Sequence, residues 1–384
     1  MRRDRILFVI NSLVGGGAER VFTTILKASA DRMTGADVVV AILDEAEEAY
    51  TLPKGVDVRR LGGGGGLVTS VRGLDKLVAG IRPDLIVSFL TRANVAAVIA
   101  GRRHGSRVVI SERVNTTAHL DGGRFSAVSK AMVRAAYPRA DQIITVSDGV
   151  AQTLADDFGV SPEKMISSPT PVDADAIEAA AAAEPEIAVD GGDLVAMGRL
   201  VPNKDFALAI SAFAQSSWPG RLIIMGEGPE RDALVTLARE LGIADRVKLP
   251  GFVANPYAVI ARAGAFVLSS RAEGFSNALV EAMATQTAVI ATDCPSGPAL
   301  IMEKDAALDP GTPLRATGGY LVAMGDVPAM AAAIDFMRDA EVRAAAAAAG
   351  RARIAAFGVK PAADAYWRVF DNVLAERHDE RRRP

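Results

Sequence analysis

The sequence predicts an α/β protein in which one parallel-sheet domain is followed by a second. Three observations carry this expectation. Short apolar runs rich in β-branched residues alternate with longer helix-like stretches along almost the whole chain. Those runs lack strict polar–apolar alternation, which suits strands buried on both faces and joined by crossover helices. The series then stops near 171–192, where Pro171, Pro185, the alanine run Ala179–Ala183 and Gly191-Gly192 interrupt it, and starts again.

The first set of strands is expected at Ile6–Ile10, Val38–Leu43, Leu85–Phe89, Val108–Ile110 and Gln142–Val146. The second set is expected at Leu194–Met197, Arg221–Met225, Val247–Leu249, Ala265–Leu268 and Ala288–Ala291. This divides the chain into an N-terminal domain over 1–170, a linker over 171–192 and a C-terminal domain over 193–358. A last helix over 359–384, carrying Trp367 and Phe370, packs back on the body and ends in a basic tail. Gly62–Gly66 reads as a flexible, exposed loop.

Composition narrows the function classes. With 384 residues, 50% of them apolar and 23% charged, the chain has ample material for cores. Lysine and arginine number 43 against 46 acids, a net charge of −3, which gives no general attraction to nucleic acid. The single cysteine, Cys294, excludes an internal disulfide or a cysteine-rich metal site and fits a reducing compartment. Arg2, Arg3 and Arg5 precede an apolar run, but the run breaks at Asn11-Ser12 and leads into Gly15-Gly16-Gly17, Glu19 and Arg20, so it reads as a buried first strand. No stretch reaches the ~18 apolar residues of a spanning helix. The expected location is cytoplasmic.

Strand, Gly15-Gly16-Gly17, then an apolar-periodic helix is a phosphate-binding arrangement, because glycine lets backbone approach an anion at a helix N-terminus. The same residues also serve as a tight turn. A dinucleotide fingerprint needs a third glycine where Arg20 stands, and Asp44 after the second strand is its candidate ribose acid.

The second half carries the sharper signal. Gly198-Arg199-Leu200 and Lys204 follow its first strand, and two cations at a strand's C-terminal end neutralise a diphosphate. Gly226-Glu227-Gly228-Pro229-Glu230 follows the second strand. Leu249-Pro250-Gly251-Phe252 follows the third, where a planar base can lie against backbone. Glu273 and Glu281 stand eight positions apart with Gly-Phe-Ser-Asn between them. Asn277 is the expected N-cap of a helix from about Ala278 to Ala284, which places diphosphate-binding N–H groups beside two carboxylates suited to sugar hydroxyls. Asp173-x-Asp175 falls in the linker and reads as helix capping, so no obligatory metal is expected.

Over nearly its whole length the chain resembles the large retaining group of GT-B glycosyltransferases called family four. The residues that carry the likeness are Gly-Gly-Ala-Glu-Arg after the first strand, Gly-Arg-Leu with Lys204, Gly-Glu-Gly-Pro-Glu, Pro-Gly-Phe and the two spaced glutamates. Ser111-Glu112-Arg113 and Cys294-Pro295-Ser296-Gly297-Pro298 are similar to a subgroup that extends lipid-linked oligosaccharides, often from UDP-sugars. The resemblance implies two Rossmann-like domains with parallel sheets facing a central cleft. It also implies a nucleotide-sugar donor as substrate, a glycan or lipid-linked acceptor, no obligatory cofactor and retention of anomeric configuration. Carried over, Arg199 and Lys204 bind the diphosphate, Glu281 the ribose and Glu273 the region of the transferred sugar. Phe275, Ser276, Asn277, Ala278 and Leu279 offer backbone N–H groups, Phe252 lies near the base, and Gly16 and Gly17 close over the phosphates. Many relatives carry a histidine after the fourth strand, where Glu112 and Arg113 stand here. Glu112 then reads as a sugar or acceptor contact, or as an ion pair with Arg113 or Arg20. His119, expected in a loop, reads as a catalytic substitute or as simply solvated.

Between Arg102 and Arg139 the chain carries eight Lys/Arg and two acids. Phe125, Val128 and Met132 fall at helical spacing, with Lys130 and Arg134 on another face. Such a helix either lies on an anionic membrane or packs on the core with a solvated basic face. Two other function classes stay open: a non-catalytic sugar-nucleotide or glycan-binding protein, and an NAD(P)-dependent oxidoreductase built on Gly15, Gly17 and Asp44. The second leaves the two spaced glutamates unexplained.

Overall fold

A computed structural model describes residues 3–121, 126–295 and 297–382. The chain forms two compact units, one of Met1–Pro171 with Val359–Pro384 and one of Val172–Gly358. The first unit is a seven-stranded sheet: β1 (Arg5–Ile10), β2 (Asp37–Ile42), β3 (Asp57–Arg60), β4 (Leu85–Phe89), β5 (Arg107–Glu112), β6 (Gln142–Thr145) and β7 (Met165–Ser167). Its order is β3-β2-β1-β4-β5-β6-β7, and every pairing is parallel. The second holds β8 (Leu194–Met197), β9 (Leu222–Met225), β10 (Val247–Gly251), β11 (Ala265–Leu268), β12 (Val289–Thr292), β13 (Leu314–Ala316) and β14 (Gly319–Val322). Its order is β10-β9-β8-β11-β12-β14-β13, parallel except for the β13–β14 pair.

The central strands are the apolar runs of the sequence. β1, β4 and β8 are buried almost throughout because helices cover both faces of each sheet. Among the parallel strands of each sheet the order reverses once, between β1 and β4 and between β8 and β11. The crevice outside the strands' carboxyl ends at such a reversal is the natural ligand position of this architecture. Both glycine-rich loops of interest, after β1 and after β8, leave their sheets there.

The helix Val359–Arg382 belongs to the first unit's core. Tyr366, Trp367 and Phe370 are buried with Phe8, Phe22 and Phe89. Phe89 and Tyr366 stack at 5.8 Å, and Phe8 meets Phe370 edge-on at 5.9 Å. Burial of each large ring contributes about 1.5–3 kcal/mol, so this helix anchors the first sheet.

Two stretches carry more local structure than a linker and a flexible loop, although the Asp173 cap and the exposure of Gly62 and Gly64–Gly66 are as the sequence suggested. Residues read as linker contain the helix Ala174–Ala181, part of the second unit, and Asp173 caps it by accepting from Ala176 N at 3.1 Å. Gly62–Gly66 is a built turn: Gly63 is buried, and a Cβ there would lie 2.8 Å from the Leu43 carbonyl oxygen. Gly66 caps the helix Leu67–Ile81, and Gly65 N donates to Asp44 at 2.9 Å. No helix among the described residues is long and apolar enough to cross a membrane.

Candidate functional site

In the second unit, three loops stack backbone on backbone outside β8, β9 and β10. Gly198 N donates to Met225 O at 3.0 Å, Leu200 N to Glu227 O at 2.8 Å, and Gly226 N to Gly251 O at 2.8 Å. Gly226, at φ 139°, tolerates no side chain, because a Cβ would fall 1.9 Å from the Gly198 carbonyl oxygen. The glycines thus fix where Arg199 starts. Arg199 is exposed and forms no ion pair with any described residue, whereas Phe252 projects with 80% of its surface exposed.

The loop after β11 is stitched to the loop after β8. Ser269 Oγ donates to Lys204 O at 2.9 Å, Arg271 N to Asn203 O at 2.8 Å, and Arg271 Nε pairs with Asp205 Oδ2 at 2.6 Å. These bonds hold Lys204 and Glu273 together: Lys204 Nζ lies 2.6 Å from Glu273 Oε1, and Ser270 Oγ donates to the same oxygen at 2.6 Å. Both side chains of the ion pair are largely buried, where a charged hydrogen bond contributes about 1.5–3 kcal/mol.

The helix Asn277–Ala284 then starts one residue earlier than the sequence suggested, and its N-cap is Ser276 rather than Asn277. Ser276 sits in the left-handed region at φ 58°, and its side chain makes no capping bond. Ser276 Oγ and Asn277 Oδ1 are both buried with no hydrogen-bond partner among the described residues. Buried polar atoms of this kind mark a place where a ligand or solvent completes the bonding. They flank the first-turn N–H groups of a helix, which have no intrahelical acceptors. Phe275 is buried against Phe357 at 5.4 Å and Leu279 is fully buried, so their side chains serve the core. Leu279 N is taken up by Ser276 O at 3.0 Å, while Ala278 is half-buried. Glu281 is buried one turn further on.

Cys294 adjoins this cluster. Burial, and secondarily the Glu273 charge, pushes its thiol up to about 12, which keeps it a neutral packing residue. Across the same loop, a Cβ at Gly297 would meet Ser276 Oγ at 2.7 Å.

The remaining sequence candidates lie in the first unit. Gly16 is the N-cap of the helix Gly17–Ala28, and a Cβ on it would fall 2.3 Å from Glu19 Oε2. The head of that helix therefore lies against its own carboxyl group, whose pKa burial raises. Glu112 ends β5 and is wholly buried, accepting from Tyr137 Oη, from Arg113 N at 3.1 Å and from Thr91 Oγ1 at 3.5 Å. Burial raises its pKa. Arg113 does not pair with it; its guanidinium donates to Ser168 O, Tyr366 Oη and Thr170 Oγ1. His119 is exposed on the helix Thr116–Asp121 and not in a loop.

Asp44 is committed elsewhere. Both its oxygens accept from Arg92, which also donates to Ser70 Oγ at 3.1 Å. With Asp44 so engaged and Arg20 in place of a third glycine, the first unit lacks the ribose acid of a dinucleotide site. Arg92 and Ser270 were the residues that sequence reasoning missed; their roles depend on partners distant in sequence. The Arg92 guanidinium holds the Asp44 carboxyl below its ordinary range, so the folded form binds its proton less readily than the unfolded chain. Its stabilisation is full above the unfolded value near ~3.9 and is lost as pH falls through the folded one. Asp44→Asn is expected to cost about 1–2 kcal/mol at pH 7 and less below about pH 4. Urea unfolding at both pH values checks this, and a pH-independent cost would contradict it.

No group of three or more His, Cys, Asp or Glu side chains among the described residues is placed to hold a metal. Comparison with known proteins gives consistent matches over both units. Residues 16–169 match the glycosyl transferase 4-like domain, and residues 191–339 match glycosyl transferases group 1. A relative from Campylobacter jejuni, N-acetylgalactosamine-N,N'-diacetylbacillosaminyl-diphospho-undecaprenol 4-alpha-N-acetylgalactosaminyltransferase, is 35% identical over 58% of this chain and 61% of its own length. Lipopolysaccharide core biosynthesis glycosyltransferase LpsD of Rhizobium meliloti is 33% identical over 51% of this chain and 54% of its own. The match thus spans little more than half the length of these curated relatives. In fold, Anabaena Alr3699/HepE in complex with UDP superposes over 96% of this chain and all of its own, with a TM-score of 0.74 at 22% identity. Sucrose-phosphate synthase from Thermosynechococcus elongatus superposes over 97% of this chain and all of its own, with a TM-score of 0.77 at 19% identity. The two sheets are those of the GT-B architecture.

Proposed function

This chain belongs to the group 1 glycosyltransferases, and from that premise we propose that it moves a hexose or N-acetylhexosamine from a UDP-sugar to a glycan acceptor carried on a lipid. The observation that carries the reading is the Lys204–Glu273 pair, followed along the same loop by Ser276 Oγ and Asn277 Oδ1, which have no partner among the described residues, at the head of a helix. Cations, helix N–H groups and a sugar-facing carboxylate meet there, as a nucleotide diphosphate-sugar requires. Arg199 and Lys204 take the diphosphate, Glu281 accepts from the ribose hydroxyls, and Phe252 borders the base.

Chemically, the sugar–phosphate bond breaks as the nucleoside diphosphate departs. Lys204, Arg199 and the helix N–H groups stabilise the charge that develops on the leaving oxygen. The acceptor hydroxyl attacks from the same face, its proton passing to the departing diphosphate, so configuration is retained without a protein nucleophile. Labelled UDP-sugars incubated with the protein and a lipid extract test this: label passing to the lipid phase supports it, and release of free sugar alone counts against it.

A lipid-borne acceptor places the protein at the cytoplasmic face of a membrane, with the helix Ser126–Ala136 as the contact. Val128 on it is 58% exposed. Phe125, counted in the same stripe, lies outside the described residues. Several cations of the 102–139 stretch are engaged within the protein: Arg107 pairs with Asp141, Arg113 is buried, and Arg134 donates to Asp157 O. The electrostatic pull is accordingly smaller than the sequence count. Co-sedimentation with vesicles rich in anionic lipid, lost at high salt, is the expected result. Equal binding to neutral vesicles would contradict it.

A further inference from the structure

We propose that Ser270 is a positioning residue for the donor's sugar, acting through Glu273. The inference deepens the functional reading above and rests on it. Glu273 Oε1 receives two donors, Lys204 Nζ and Ser270 Oγ, each at 2.6 Å. Glu273 Oε2 makes no hydrogen bond with a described residue. Ser270 is itself 1% exposed and is held from behind, its carbonyl accepting from the wholly buried Thr292 Oγ1 at 2.6 Å. The serine's backbone is therefore held in place, and its buried hydroxyl binds one carboxylate oxygen of Glu273 while the other has no described partner.

The two donors differ in what a ligand does to them. A diphosphate competes for the Lys204 ammonium, because one cation shared between two anions binds each less strongly. The Ser270 hydroxyl is neutral and sits on a backbone anchored by β12, so it stays on Oε1 when Lys204 is drawn away. Glu273 then keeps Oε2 turned outward, where a sugar hydroxyl can donate to it. Without the serine, the carboxylate follows the ammonium or swings free. The loss falls on recognition of the sugar and spares the nucleotide.

The test is a set of calorimetric titrations with UDP, UDP-glucose, UDP-N-acetylglucosamine and UDP-N-acetylgalactosamine, followed by kinetics with whichever sugar nucleotide is turned over. For Ser270→Ala, the UDP Kd is expected to stay within threefold of wild type. The affinity added by the sugar should disappear, and kcat should fall about tenfold. Ser270→Thr restores the hydroxyl and should recover most of the loss. Thr292→Val, which releases the serine's anchor, should give a smaller loss of the same kind and carries the test if the alanine variant does not fold. Equal losses for UDP and UDP-sugar, or no loss for either, would overturn the assignment. Wild-type protein that binds no UDP at all would overturn the donor reading and the assignment with it. That outcome is distinct from a variant that keeps both nucleotide and sugar recognition.

Discussion

Lys204→Ala is expected to weaken UDP binding at least about a hundredfold, the largest effect of any single side chain in the second unit. A charge-assisted bond to a diphosphate contributes about 1.5–3 kcal/mol, and Coulomb attraction across 4 Å adds to it at an effective dielectric near 20. The substitution also removes the cation that now neutralises Glu273 at 2.6 Å. An uncompensated carboxylate then faces the incoming phosphates and repels them. Arg199, exposed and without an ion-pair partner among the described residues, recovers little of this alone. Calorimetric titration with UDP measures the loss directly, and an affinity within threefold of wild type would remove Lys204 from the diphosphate site.

Gly226→Ala should abolish stable folding of the second unit or cost it at least about 3 kcal/mol. The added Cβ would stand 1.9 Å from the Gly198 carbonyl oxygen, backbone that cannot move without displacing Arg199. Gly242 separates this clash from simple strain. It too has a positive φ, 70°, but nothing lies within 4 Å of its missing Cβ. Gly242→Ala should therefore cost only about 1–2 kcal/mol, from the left-handed backbone alone. Urea unfolding of the two variants side by side is the check, and equal costs would show that the close approach at Gly226 carries no energy.

The buried central strands and the glycine-rich turns were legible from sequence because each follows from a local requirement. A strand covered on both faces must be apolar, and a position where an added Cβ would fall 1.9 Å from a carbonyl oxygen has room only for glycine. β3 escaped notice because Asp57-Val58-Arg59-Arg60 is a polar edge strand, mostly exposed, with no hydrophobic pattern to give it away. The three-residue edge strands β7 and β13 were missed for similar reasons of length and position. The helix cap at Ser276 was misplaced by one residue, since serine and asparagine are equally good caps and the left-handed φ of 58° at Ser276 is not readable from sequence. In the candidate site, residue types were readable but their partners were not. Glu112 meets Tyr137 across 25 positions, and Lys204 meets Glu273 across 69. Only the fold brings such pairs together, and only the fold shows that Glu112 is sealed from solvent.

Thermal melting in the presence of UDP, GDP, ADP and dTDP, with and without their common sugars, tests most directly whether the β8–β11 edge holds a nucleotide diphosphate. A ligand at a hundredfold excess over its Kd stabilises the native state by about 2.7 kcal/mol, enough to raise the melting temperature by several degrees. UDP and a UDP-sugar should raise it, and the Lys204→Ala protein should lose that response. No shift with any nucleotide, or an undiminished shift in the variant, would contradict the assignment.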